Sequence, residues 1–135
     1  MTLRQVGALP LRKLRGGGVE VLLVSSRETG RWVIPKGWPA KRLSDAKAAA
    51  REAKQEAGVS GKMKGPPIGS YRYRKRMPGG IVRVIDVDVY VLWVKKERKS
   101  WPEKDERVRE WFAQSDAARL VREPKLKVLI GQFAV

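Results

Sequence analysis

The 135-residue chain carries 30 Lys and Arg against 14 Asp and Glu, a formal charge of +16 at pH 7. It has no cysteine and no histidine, which excludes disulfides, thiolate nucleophiles and zinc–thiolate sites and removes the commonest general base. Acid–base or metal chemistry therefore falls mainly on Asp and Glu, with Lys and Tyr behind them.

Val6 to Leu14 reads as a strand interrupted by Pro10. Proline cannot donate to a ladder, so this strand is expected at an edge or along an irregular passage. Arg15 to Gly18 is a turn, and Val19 to Val24 is a strand buried on both faces near its end. Ser25 to Gly30 forms a loop, and Arg31 to Ile34 a short strand ended by Pro35. Ser44 is the N-cap of an alanine-rich helix, with Asp45 in the first turn where the helix dipole favours it. Ala46, Ala49, Ala53 and Ala57 make a thin apolar stripe, and Gly58 supplies a left-handed stop. On another face Glu52, Gln55 and Glu56 converge, because residues three and four apart are neighbours on a helix.

Lys62 to Pro67 reads as a basic connector, Ile68 to Arg76 as a strand, and Met77 to Gly80 as a hairpin turn. Ile81 to Val94 is the strongest strand, and its Val and Ile density demands a central position. Asp86 and Asp88 share one face of it. They either approach the acidic helix or pair with the Arg-rich neighbouring strand, and the second is favoured. Lys95 to Asp105 is a charged loop, and Val108 to Phe112 a last short strand. Ser115 and Asp116 cap a helix through Arg122. Pro124 opens another, Lys125 to Phe133, with Leu126, Leu129, Ile130 and Phe133 on one stripe. Strands, helix, strands, helix is the order of an α/β fold, a mixed β-sheet flanked by helices.

Two carboxylates one helical turn apart repel unless positive charge lies between them. Carboxylate and carbonyl oxygens are what a hard divalent cation takes. Taken alone, the spacing favours an ordinary solvated helix face; set in the family pattern that spans Gly37 to Val59, Glu52 and Glu56 become the expected metal ligands and catalytic residues, with Gln55 a weaker third.

The stretch Gly37 to Val59 resembles the Nudix box, with Gly37, Arg51, Glu52, Ala53, Glu56, Gly58 and Val59 in register. Leu43 and Gln55 stand where the family pattern has glutamates. The resemblance implies a Nudix-type α/β/α sandwich, a single domain over 1–135 with its box at 37–59. It implies a Mg²⁺-dependent hydrolase, Mn²⁺ standing as a substitute, that cleaves a phosphoanhydride, and it adds the Gly37 carbonyl as a further metal ligand. Outside the box, VLLVSSRETGRWVIPKG, VYVLWV and REWF resemble the diphosphoinositol polyphosphate phosphohydrolase branch. Substrates of that branch include diphosphoinositol and diadenosine polyphosphates. This implies that Ser25, Ser26 and Arg27 hold substrate phosphates, together with Arg4 from a segment that is more basic in the branch. Trp38 and Pro39 depart from the Gly-rich loop found there.

Arg27, Arg31, Lys36, Lys41 and Arg42 flank the box on predicted loops, an arrangement suited to a multiply charged substrate. Trp38, beside the box glycine, either lines the pocket or packs. Tyr71 to Arg76 interleaves aromatics with cations and either stacks on bases or packs its tyrosines, with packing favoured, as for Trp32. No apolar run reaches the length of a membrane span and the N-terminus lacks a signal-peptide core, so a cytoplasmic location without a membrane partner is expected. The +16 charge attracts polyanions. With no RNA-recognition, zinc-finger or helix-turn-helix signature, a polyphosphate small molecule is the expected partner and nucleic acid ranks behind it. Two other functions compete: a degenerate Nudix domain that binds polyphosphate without turnover, motivated by Gln55 and Leu43, and a basic RNA-associated protein or RNA 5′-end pyrophosphohydrolase, motivated by the charge.

Overall fold

Residues 2–135 are described by a computed structural model. The chain runs β1 (Leu3–Lys13), β2 (Val19–Ser25), β3 (Trp32–Val33), β4 (Lys36–Gly37), α1 (Asp45–Ala57), β5 (Val59–Arg76), β6 (Val82–Glu97), β7 (Arg109–Ala113), α2 (Gln114–Leu120) and α3 (Pro124–Gln132). The strands form one mixed sheet in the order β3-β2-β1-β6-β5, with β4 on β1 and β7 on β2. The β1–β6 pair is parallel and the other pairs are antiparallel.

The two sides of β1 show how the sandwich is filled. Side chains alternate across a strand, so Val6 and Ala8 meet one face while Leu9 and Leu11 meet the other. The first face is closed by Ala48, Ala49, Ala53 and Ala57 of α1, together with Leu22, Val24, Tyr90 and Leu92. The second is closed by Ala117 of α2 and by Leu126 and Ile130 of α3, over Leu23, Tyr71, Val87 and Val89. The alanines let α1 lie close to the sheet. Its ends follow the expected chemistry: Ser44 accepts from the Lys47 N–H at 3.2 Å, and Gly58 sits at φ +66°.

Three expectations are corrected, and one is decided between its two alternatives. β1 is central, and Pro10 lies on an irregular passage rather than at an edge. Ala8 donates sideways to the Pro35 carbonyl, so the nitrogen of Pro10, two residues on, faces the same side. There β1 has left β4 at Gly7 and does not join β2 until Leu11, so no ladder bond is lost. Lys62 to Pro67 is not a connector. Lys62, Met63 and Lys64 pair with β6, and an irregularity between Lys64 and Gly69 absorbs the residues that break the pattern. Ser115 does not cap α2, because the helix starts one residue earlier, with Ala113 at the cap position and no capping side chain. That helix also ends at Leu120 rather than Arg122.

The strand aspartates find cross-strand partners. Asp86 accepts from Arg72 at 2.8 and 3.2 Å, and Asp88 lies 3.4 Å from Arg4. Trp32 packs edge-on against Phe112 with ring centres 4.9 Å apart. Among the described residues no helix is long and apolar enough to cross a membrane.

A Cβ on Gly58 would meet the Trp101 ring at 2.6 Å and the Arg109 guanidinium at 2.8 Å, in a left-handed conformation that L-residues resist. Gly58→Ala is therefore expected to cost about 3 kcal/mol, strain and overpacking together. Urea denaturation of the variant beside wild type checks this.

Candidate functional site

The last turn of α1 is pinned by the segment after β6. Trp101 Nε1 donates to the Glu56 carbonyl at 3.1 Å, Arg109 donates to the Ala57 carbonyl at 2.9 Å, and the Glu103 N–H donates to the Gln55 carbonyl at 3.2 Å. Orphan carbonyls at a helix C-terminus need donors. Supplying them here brings Glu103 and Arg107 against the acidic side of α1. Buried Arg107 donates through Nε to Glu103 Oε1 at 2.7 Å, and its Nη2 lies 3.8 Å from Glu56 Oε1.

A cavity of about 620 Å³ opens at this end of the sheet. Because β1 parts from β2 here, residues of both layers reach it: Glu52 and Glu56 from α1, Gln5 and Tyr73 from the opposite side. The Tyr73 hydroxyl donates to Gln5 Oε1 at 2.6 Å, and Lys36 Nζ lies 4.9 Å from the Tyr73 ring centre. Arg74, Lys75 and Arg76 at the end of β5 complete a cationic rim with Arg27 and Arg122. Arg31 is held in the wall by Glu123 at 3.0 Å, where the second Glu123 oxygen has no hydrogen-bond partner.

Glu56 is only 6% exposed. Desolvation pushes its carboxyl up to about 7; Arg107 and Lys36 oppose this, while Glu52 and Glu103 add to it. Glu52 is raised too, first by desolvation, and a hydrogen bond with Glu56 pulls it part of the way back. Both carboxyls are therefore harder to ionise on this face of α1, where Glu56 is buried and Glu52 half-buried. Lys36 is lowered to about 8 by desolvation, against the pull of Glu56. A Cβ on Gly37 would overlap the Glu52 carboxylate, so this glycine is what lets the acid lie against the β4 backbone. Two acids one turn apart on α1, both lining the cavity and both disfavoured as lone anions by burial, fit a hard divalent cation between them. Among the described residues no group of three acids forms a ready-made cage, so any cation there draws further oxygens from backbone, water or substrate.

Of the residues singled out in the sequence, the cavity collects Glu52, Glu56, Gly37, Ser26, Arg27, Lys36 and Trp38. Trp38 is 42% exposed on the rim. Gln55, Arg4 and Ser25 are not among its lining. Gln55 is three residues from Glu52 but only one from Glu56, about 100° around the helix, and its side chain emerges exposed. Arg4 is committed to Asp45 at 2.9 Å and to Asp88. The Ser25 hydroxyl accepts from the Val108 N–H at 2.8 Å. Glu103, Arg107 and Glu123 were not legible as site residues: they lie 47 to 67 positions beyond Glu56 in the numbering, and nothing in their spacing ties them to α1. The one sequence signal was the Glu103-to-Arg107 interval, a helical-type ion pair that begins inside the charged loop Lys95 to Asp105 and ends two residues beyond it.

The family model described as "NUDIX domain" matches residues 1–131. The chain is 32% identical over 131 residues to Nudix hydrolase 21, chloroplastic, of Arabidopsis thaliana, covering 95% of this chain and 64% of that protein. It is 36% identical over 106 residues to human diphosphoinositol polyphosphate phosphohydrolase 3-beta, covering 76% of this chain and 60% of that one. It therefore spans a little under two thirds of the length of these relatives. In structure it is similar to the C. elegans Ap4A hydrolase solved as a binary complex, with a TM-score of 0.68 at 20% identity, covering 96% and 93% of the two chains.

The sign of the Glu56 linkage is fixed by its direction. A carboxyl raised from 4.5 to about 7 in the fold contributes stability that is full below 4.5 and is lost as pH rises through about 7. With a chelator present, Glu56→Gln removes this dependence. Its stability relative to wild type is expected to improve by on the order of 2 kcal/mol between pH 5 and pH 8. Urea titrations at the two pH values measure it, and a gap that does not move with pH contradicts it.

Proposed function

Because the chain belongs to the Nudix family, we propose that it is a Mg²⁺-dependent pyrophosphohydrolase cleaving a phosphoanhydride in a highly phosphorylated small molecule. Diphosphoinositol polyphosphates and diadenosine polyphosphates are the leading candidates. The observation that carries this reading is that Glu52 and Glu56, one helical turn apart, line one cavity together with Gly37 and the cations Arg27, Lys36, Arg74 and Arg76.

In this proposal Glu52 and Glu56 hold the cation, with the Gly37 carbonyl beside them. Bound there, Mg²⁺ would supply charge neutralisation on the phosphoryl oxygens and acidify an attacking water. The chain's own groups do the rest. Arg27, Lys36, Arg74 and Arg76 take the phosphate oxygens of the substrate, guanidinium groups in pairs and Lys36 as a point charge. Trp38 bounds the open side. Glu103 is the carboxylate placed to receive the proton of the attacking water. As the water oxygen bonds to phosphorus, the bridging P–O bond breaks and its electron pair leaves on the departing phosphate, where rim cations stabilise it. Arg107 fixes Glu103 for this task through the 2.7 Å bond.

The competing reading, binding without turnover, drew on Gln55 and Leu43. Leu43 packs against the α1 core, and Gln55 faces out of the cavity, so neither substitution removes a carboxylate from the wall. A cytoplasmic location remains part of the proposal.

A panel of polyphosphate substrates assayed with Mg²⁺ and with Mn²⁺ for phosphate-bearing products tests the activity. Glu56→Gln and Glu103→Gln are each expected to lower kcat at least a hundredfold with the fold intact by circular dichroism. Gln55→Glu is expected to change it by less than about tenfold. Full activity in a folded Glu56→Gln protein, or none in wild type on any substrate, sinks the proposal.

A further inference from the structure

A second concavity lies at the far end of β1. It is a groove of about 470 Å³ lined by Arg12, Lys13, Lys62, Lys64, Lys95, Trp93 and Val94. Gln5, in the first cavity, and Lys13 are eight residues apart on one strand, roughly 26 Å at strand rise. The two concavities are therefore separate.

The groove holds five cations and no acid. Of the five, only Arg12 has carboxylate partners among the described residues, Glu20 at 2.6 Å and Glu97 at 3.9 Å. The other four are gathered by the sheet. The parallel β1–β6 ladder runs to Leu11 opposite Trp93, and Lys13 and Lys95 each lie two residues beyond that pair on their strands. Lys62 stands opposite Trp93 and Lys64 opposite Val91. Like charges on neighbouring strands destabilise a sheet, so folding alone does not account for the arrangement.

A backbone feature also shapes the groove. The ladder shifts between Ser60, opposite Lys96, and Gly61, opposite Val94, leaving Lys95 as the extra residue of a bulge. A Cβ on Gly61 would overlap the Trp93 carbonyl, so the approach of the two strands needs glycine there. Bulges re-aim side chains. Half-buried Trp93 is braced edge-on by Phe133, ring centres 6.1 Å apart, and Lys13 Nζ lies 5.3 Å from its ring centre.

We propose that this groove binds the phosphodiester backbone of single-stranded nucleic acid, the lysines tracking successive phosphates and the Trp93 ring taking a base in place of the Lys13 ammonium. Cations two residues apart along a strand, set around a braced aromatic on an open sheet, are the parts of a single-strand platform. The site is independent of the hydrolytic reading, because none of its residues lines the first cavity.

The test is fluorescence anisotropy of the whole protein with a short 5′-hydroxyl single-stranded RNA, over a range of salt, so that no terminal phosphate engages the first cavity. Lys62→Ala/Lys64→Ala is expected to weaken binding about tenfold or more at moderate salt and to lower the salt slope by about 1.4, two contacts at ~0.7 each. Lys47→Ala/Lys54→Ala, which removes the same charge from the exposed side of α1, is expected to leave the slope nearly unchanged. Trp93 fluorescence is expected to fall on binding, with turnover of small substrates unaffected by the groove pair. Equal weakening by the two pairs, equal affinity for duplex, or displacement of RNA by inorganic tripolyphosphate at matched phosphate concentration would each overturn the proposal.

Discussion

Everything at the first cavity depends on two carboxyls being kept together where water is scarce. Glu52 and Glu56 are one turn apart on α1, and burial makes their joint ionisation costly. Such a pair survives only if its surroundings fix it. Gly37 clears the space for Glu52, the Lys36 N–H holds Glu56 Oε1 at 3.3 Å, and Arg107 supplies a buried counter-charge. Breaking a buried pair by removing one partner costs far more than never having built it. The arrangement thus constrains three chain segments at once: β4, α1 and the segment carrying Glu103 and Arg107.

The same constraint explains why α1 is made of alanines. A bulkier stripe would lift the helix from the sheet and carry Glu52 away from β4. Small residues give up burial of apolar area, about 25 cal/mol per Å², and gain proximity. The C-terminal turn then needs reinforcement, which comes from Arg109 and Trp101 rather than from the helix itself. Their stacking, with the guanidinium carbon 3.9 Å from the ring centre, joins the end of the helix to the segment holding the third acid. One set of contacts stabilises the helix and assembles the site.

How much of this was readable in the chain follows from the range of each interaction. Ser44, Asp45 and Gly58 act within a turn of α1, so its start and stop stand as read. The Asp86–Arg72 pair is a direct cross-strand contact, and the period of two located it. Apart from the cap and end of α2, the failures are non-local. Pro10 leaves an edge and an irregular passage both open, because a sequence does not show that β1 changes partners beside it. Lys62 to Pro67 reads as a connector because its strand character is imposed by β6. Gln55 looked equivalent to Glu52 and Glu56, since helical spacing alone tolerates all three; only the direction of the cavity separates them. Glu103 and Arg107 required knowing that the charged segment folds back onto the end of α1.

The surplus of cations is also not evenly disposed. Asp45, Asp86, Asp88, Glu20, Glu97, Glu106 and Asp116 are engaged in ion pairs outside the acidic face of α1, two of them with Arg12 and one with Arg27; among the described residues no ion pair reaches Arg74, Lys75 and Arg76 at the rim of the cavity or the four lysines of the groove beside Trp93. The two are tied to one helix. Glu123, at the start of α3, grips Arg31 in the cavity wall, and Phe133, just past its end, braces Trp93 in the groove. Between them Leu126 and Ile130 are fully buried against the sheet. A packed core has few alternative arrangements, so α3 holds the two cationic surfaces at a fixed spacing, and that spacing follows from apolar packing rather than from any contact between the charges themselves.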